Sequence, residues 1–195
     1  MKYFIHIGKC GGGTLRNFFN EINYKCIYSH VYKPKISQEY EYIILIRNPI
    51  TRLISSFNSR KILTAELDKR FKCEDKLLNK FNDIHDFVSD LDNFKGYIHH
   101  IHENISFYLT ELLDKIQPIQ IKRIYTQEYL NDELYEDFLK YPSINKHENI
   151  SNLPKTLNET EYVKLKKYLT QDYECIEKLN EFGVLTPKQY EVLSK

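Results

Sequence analysis

The stretch Tyr3-Phe4-Ile5-His6-Ile7-Gly8-Lys9-Cys10-Gly11-Gly12-Gly13-Thr14-Leu15 decides how the chain is read. Tyr3–Ile7 is a short apolar run that stops at a glycine cluster, which predicts a buried strand. Beyond the glycines, Leu15, Phe18, Phe19 and Ile22 recur at i, i+3, i+4 and i+7, the spacing of a helix with one buried face. A glycine loop between a strand and a helix lets backbone N–H groups close around an anion. The helix N-terminus adds its partial positive charge. A tight turn with no ligand is the alternative, but three consecutive glycines carry an entropic cost that an empty turn leaves unexplained.

The loop lacks the apparatus for Mg-ATP. A nucleoside triphosphatase loop reads GxxxxGK[ST]. Gly8 and Gly13 have that spacing, yet Thr14 stands where the lysine belongs, and Lys9 sits at the front of the loop instead. The next apolar strand, Tyr42–Ile46, ends in Arg47 and not in an aspartate that could help hold magnesium. The charge of a ligand would be met by Lys and Arg.

Outward from the loop, Lys25–Tyr28 predicts a second strand, and Tyr42–Ile46 (YIILI) a central parallel strand covered on both faces. Asn48-Pro49 opens a helix, Asn suiting the N-cap and Pro the first helical position. Ile50, Leu53, Ile54 and Phe57 form its apolar face, and Arg52, Ser55, Ser56 and Ser59 its polar face. Residues 61–96 are charged and suggest helices without defining them. Ile101–Ile116 marks a helix, Ile119–Tyr125 a strand, Gln127–Lys140 a helix, Tyr141–Lys155 a loop, and Glu159–Phe182 one long helix capped by Asn158. Thr186-Pro187 begins a last short helix. Strands alternating with helices predict an α/β, P-loop-like three-layer fold with a mainly parallel central sheet flanked by helices. The length, 195 residues, suits a single domain over 1–195.

Composition narrows the function classes. The chain carries 28 Lys/Arg against 27 Asp/Glu, so its total charge gives no support to nucleic-acid binding. Residues 1–61 hold ten Lys/Arg and three Asp/Glu, while residues 62–195 hold 18 and 24. A basic first third suggests a local anionic ligand. No run of about 18 apolar residues occurs, so no membrane span is expected. The chain reaches its first strand by Tyr3, and its four cysteines have no CxxC spacing. A soluble, cytoplasmic protein with free thiols is therefore expected. His99, His100 and His102 could suggest a metal, but no cysteine or second histidine group accompanies them. A loop leading into a helix, able to line an acceptor pocket, is the preferred reading, and no metal is assigned. His6 is expected to be packed within its strand, and Glu128 and Asp132 to favour the N-terminus of their helix.

Two motifs, in order, resemble the sulfotransferases that use 3′-phosphoadenosine-5′-phosphosulfate (PAPS). HIGKCGGGTL (His6–Leu15) is similar to the family's 5′-phosphosulfate loop, HxPKTxGTSL. RNPITRLISSF is similar to its 3′-phosphate motif, RDPxxRxxSxY/F, with Arg47, Pro49, Arg52, Ser55 and Phe57 in register. The resemblance is closest to the carbohydrate branch that includes heparan sulfate 2-O-sulfotransferase. Tyr28-Ser29-His30-Val31-Tyr32 resembles the GHVSY-type segment that carries that branch's catalytic histidine. Tyr125–Glu128 with Asp132, Asn145-Lys146 and Asp172-Tyr173 fit later parts of the pattern more loosely. Cys10, Gly13 and Asn48 depart from it, replacing Thr, Thr or Ser, and Asp.

The resemblance implies sulfuryl transfer from PAPS to a hydroxyl or amine of a small-molecule or glycan acceptor, with no metal required. It implies that Lys9 neutralises charge on the bridging oxygen and that His30 takes the acceptor proton. The loop from Lys9 and Cys10 through Gly11, Gly12, Gly13 and Thr14 to Leu15 would hold the 5′-phosphate, and Arg47 and Ser55, assisted by Arg52, the 3′-phosphate. Independently of the family, Lys9, His30 and Arg47 each follow a predicted strand, and such ends converge in an open parallel sheet. Two other readings stay open: a nucleotide kinase-like phosphotransferase with a degenerate loop, and a non-catalytic nucleotide-binding protein.

Overall fold

A computed structural model describes residues 1–66, 72–142 and 152–195. Four strands form one sheet: β1 (Lys2–His6), β2 (Ile27–His30), β3 (Glu41–Ile46) and β4 (Ile121–Thr126). Their order is β2-β1-β3-β4, and every neighbouring pair is parallel. The YIILI strand lies between β1 and β4, and Tyr42–Ile46 are all buried. A strand covered on both faces needs apolar residues at successive positions, and that is what its sequence supplies.

The helices are α1 (Gly12–Glu21), α2 (Pro49–Glu66), α3 (Lys72–Leu78), α4 (Ile84–Ser89), α5 (Ile105–Lys115), α6 (Leu130–Phe138), α7 (Glu159–Tyr168), α8 (Thr170–Glu181) and α9 (Pro187–Ser194). Together with the sheet they make a three-layer α/β fold. The main core joins β1, β3 and β4 to α1, α5 and α8. A second apolar cluster lies beyond the sheet, where Leu53 and Phe57 of α2 meet Phe87 of α4 and Leu165 of α7.

Three elements differ from expectation. The second strand is shifted two residues along, to Ile27–His30, because it is an edge strand with only Ser29 buried. Its position is set by pairing with β1 and not by an apolar run. The helix expected over Glu159–Phe182 is two helices, broken at Leu169. The break lets Leu165 and Leu169 pack in the second cluster while Cys175, Ile176 and Leu179 pack in the main core. The helix expected from Gln127 begins with a 3₁₀ turn, Gln127–Tyr129, before α6. In the middle of the chain, α3 and α4 supply the helices expected there. Asn145-Lys146 and most of the expected Tyr141–Lys155 loop fall outside the described residues. No helix among those described is long and apolar enough to cross a membrane.

Candidate functional site

The strand order positions the site. From β1 the chain moves to β2 on one side, and from β3 it moves to β4 on the other. Adjacent parallel strands whose connections diverge leave a crevice at their carboxyl ends. The glycine loop leaves β1 there, and Arg47 leaves β3.

Backbone geometry shapes the loop. Lys9 and Gly11 adopt left-handed φ values of 67° and 91°. Gly11 is the N-cap of α1 and provides no side-chain cap. The first-turn amides of a helix have no carbonyl four residues back to receive them, so Gly12, Gly13 and Thr14 present N–H groups suited to an anion. Two other residues assigned to the cradle have occupied amides. Cys10 N donates to Ile7 O (3.3 Å) and Leu15 N to Gly11 O (3.2 Å). Both side chains are fully buried, and burial pushes the Cys10 thiol up to about 12. These two residues shape the loop, and their backbone donors are turned inward.

Two imidazoles hold the glycines in place. A Cβ on Gly12 would lie 1.8 Å from the His6 ring, and one on Gly8 would lie 2.3 Å from His100 Nδ1. A Cβ on Gly13 would meet nothing within 4 Å. Gly8 and Gly12 are thus required by close packing, whereas Gly13 lies open at the mouth of the loop.

Lys9 and Arg47 share the site. Arg47 Nη1 donates to Lys9 O at 3.4 Å, and Arg47 Nε donates to Thr51 Oγ1 at 3.0 Å. Burial, then the neighbouring Arg47 and Arg60 charges, lower the Lys9 pKa. Burial also lowers that of Arg47, while Glu128 opposes the shift. Two cations are thus held half-buried and close together, with the Glu128 carboxylate beside Arg47. Glu128 does not serve its own helix alone: its Oε1 accepts Asn48 N at 3.1 Å and so braces the segment that carries Arg47.

His30 reaches the site through strand register. His6 pairs with His30 across the parallel β1–β2 ladder, which brings both rings to one face. They stack with centroids 4.0 Å apart. His30 Nδ1 lies 3.2 Å from His6 O. A carbonyl can only accept, so Nδ1 carries the hydrogen, and in the neutral ring Nε2 keeps its lone pair. His6 is packed as expected, and burial with the adjacent His30 lowers its pKa to about 3.

Arg52 differs from its expected place on a polar helix face. It is fully buried, and its Nη2 donates to His100 O (2.9 Å) and Glu103 O. The helical period explains this: Arg52, Ser56 and Arg60, spaced four apart, are all buried on one side of α2. Arg52 therefore anchors the 97–104 loop from beneath and does not open to solvent. Ser55, one position further round, is half-buried.

The 97–104 loop does lead into a helix, α5, whose N-cap is Asn104. His100 has a left-handed φ of 64°, and its ring lies 5.8 Å from that of His30. Burial, followed by the His99 and Arg52 charges, lowers the His100 pKa to about 2. Glu103 ties the loop together: Oε2 accepts His100 N at 3.0 Å and lies 2.5 Å from His99 Nδ1, while Oε1 accepts the Tyr97 hydroxyl. Glu74 accepts His99 N (3.0 Å) and Arg60 Nε (2.8 Å). Sequence reading missed Arg60, Glu74 and Glu103. The one available signal was the spacing of Arg60, two turns after Arg52.

No protein-family model, curated protein or solved structure matches this chain.

Proposed function

We propose that the chain is a PAPS-dependent sulfotransferase that moves a sulfuryl group to a hydroxyl or amine, with a carbohydrate as the favoured acceptor. One observation carries the reading: Lys9 and Arg47, from two motifs 38 residues apart, touch at the switch point of the sheet, with His30 at the end of the adjacent strand. PAPS carries a phosphate at the 3′ position of its ribose and a phosphosulfate at the 5′ position. The two cations and the first-turn amides of α1 suit that charge, and the open space above Gly13 leaves the amides approachable.

Each residue then has a defined task. Amides of Gly12, Gly13 and Thr14 hold the 5′-phosphate, and Arg47 with Ser55 receives the 3′-phosphate. The hydrogen bond to His6 O leaves His30 Nε2 free to accept the acceptor proton as the new S–O bond forms. Lys9 stabilises the negative charge on the phosphate oxygen as its bond to sulfur breaks. The products are the sulfated acceptor and adenosine 3′,5′-bisphosphate. Arg47, where a magnesium-binding aspartate would sit, weighs against the kinase-like alternative.

Thermal unfolding with adenosine 3′,5′-bisphosphate in EDTA, compared with Mg-ATP, tests the reading. Ligand at a hundred times its Kd should stabilise the fold by about 2.7 kcal/mol. Stabilisation by Mg-ATP alone would favour a phosphotransferase. His30→Ala should keep the bisphosphate shift and lose labelled-sulfate transfer to a glycan panel. Retained transfer would remove His30 as the base. Binding without transfer by the unmodified chain to any acceptor would favour a non-catalytic protein.

A further inference from the structure

We propose that His99, His100 and Glu103 form a binding site for one divalent transition-metal ion, with Zn²⁺ the best match to the donors. The proposal does not depend on sulfuryl transfer. One ligand atom from each residue lies within 4.8 Å of the others. Donors that share a Zn²⁺ at about 2.0–2.2 Å stand roughly 3–4 Å from one another. His100 Nδ1 and Glu103 Oε2, 3.8 Å apart, already have that separation. His99 Nδ1 and Glu103 Oε2, at 2.5 Å, share a hydrogen. The ion would take the place of that proton, which leaves to solvent, and separate the pair by about an ångström.

Three features point to a ligand. First, His100 Nδ1 is buried and, among the described residues, has no hydrogen-bond partner, although it faces a carboxylate oxygen. A cation between the two would satisfy both. Second, His100 holds a left-handed φ of 64°, a strained conformation for a non-glycine residue that tends to occur at ligand clamps. Third, neighbouring donors fix the position of the Glu103 carboxylate. The Tyr97 hydroxyl and His100 N orient the Glu103 carboxylate, as outer contacts do around metal-bound carboxylates.

Two imidazole nitrogens and one carboxylate oxygen suit Zn²⁺, and also Co²⁺ as a spectroscopic substitute, better than the oxygen-seeking Mg²⁺ or Ca²⁺. The ion would pin the 97–104 loop beside Gly8 and His30. A fourth position would stay with water.

The test uses the full chain, stripped with EDTA and dialysed. Zn²⁺ is titrated by calorimetry, and Co²⁺ is followed by its visible d–d absorption. One equivalent of Zn²⁺ should bind with micromolar or tighter affinity, and Co²⁺ should give a non-octahedral spectrum. His99→Ala and His100→Ala, each checked for the wild-type fold by circular dichroism, should weaken Zn²⁺ at least tenfold. Mg²⁺ should not compete. The proposal is overturned if the wild-type chain binds no Zn²⁺ below about 100 µM. It is equally overturned if a folded variant of either histidine binds as tightly as the wild type, which would place the ion on other histidines such as His85.

Discussion

A methyl group on Gly12 would collide with the His6 ring, whereas one on Gly13 would meet nothing within 4 Å. Neighbouring glycines in one loop should therefore respond in opposite ways. Gly12→Ala should lower stability by about 1–3 kcal/mol through forced movement of the stacked histidines. Gly13→Ala, within the first turn of α1, should raise it by about 0.4–1 kcal/mol by narrowing the unfolded ensemble. Urea unfolding of the two variants checks the contrast, and equal effects would show that His6 does not rest on the loop. At this scale short local motifs mark Lys9, Arg47 and His30, which the fold brings to the carboxyl ends of β1, β2 and β3. The sequence did not mark Glu74 or Glu103, and it placed Glu128 only at the start of its own helix. The partners of Glu74 and Glu128 are remote in the chain, and no local pattern encodes a contact such as that between Glu128 and Asn48, 80 residues apart.

Among the elements, α2 and α9 are joined by one amide side chain. Asn48 Oδ1 accepts Ile50 N and Thr51 N, both at 3.1 Å, and so caps α2. Its Nδ2 donates to Val192 O (3.1 Å) and Lys195 O (3.0 Å), satisfying carbonyls at the end of α9. Asn48→Asp keeps the cap but loses the donor and sets a carboxylate against carbonyl oxygens. A loss of about 1–3 kcal/mol is expected, read by urea unfolding, and wild-type stability in that variant would dismiss the α9 clasp. The sequence signalled the cap of α2 but not its second role, because α9 is contributed by the other end of the chain.

A second link at this scale responds to pH. His85 of α4 lies 2.9 Å from Glu161 of α7. Its hydrogen bond to Glu161 raises the His85 pKa above its ordinary 6.5, with Asp83 and Asp86 adding to the shift. Hydrogen bonds from Asn158 and His85 bring the Glu161 pKa below its ordinary 4.5 despite partial burial. A raised histidine stabilises fully below its unfolded value and stops doing so as pH rises through its folded value. A lowered carboxylate stabilises above its unfolded value and stops as pH falls through its folded one. The difference in thermal midpoint between wild type and His85→Ala should be largest between pH 4.5 and 6.5 and shrink on either side. A difference constant from pH 5 to 8 would show that the contact is not ionic.

Across the whole molecule, the uneven charge of the sequence acquires a spatial meaning. Lys9, Arg47, Arg52 and Arg60 come from the basic first third, and Glu74, Glu103, Glu128 and Asp172, which surround them, come from the acidic remainder. The layered α/β architecture was legible because strand and helix periods differ so clearly in residues 3–57. The break at Leu169 was not, because Leu165, Leu169, Cys175, Ile176 and Leu179 are compatible with a continuous helix until two separate cores compete for them.

The left-handed backbone at Lys9 has a consequence for the molecule's durability. A side chain held in that conformation costs about 1–2 kcal/mol that glycine would not incur, and the half-buried ammonium is set against two guanidinium groups. Lys9→Gly should thus yield a sturdier protein in urea that answers far less to adenosine 3′,5′-bisphosphate. If the proposed nucleotide site is right, relaxing the backbone at Lys9 should trade ligand grip for durability.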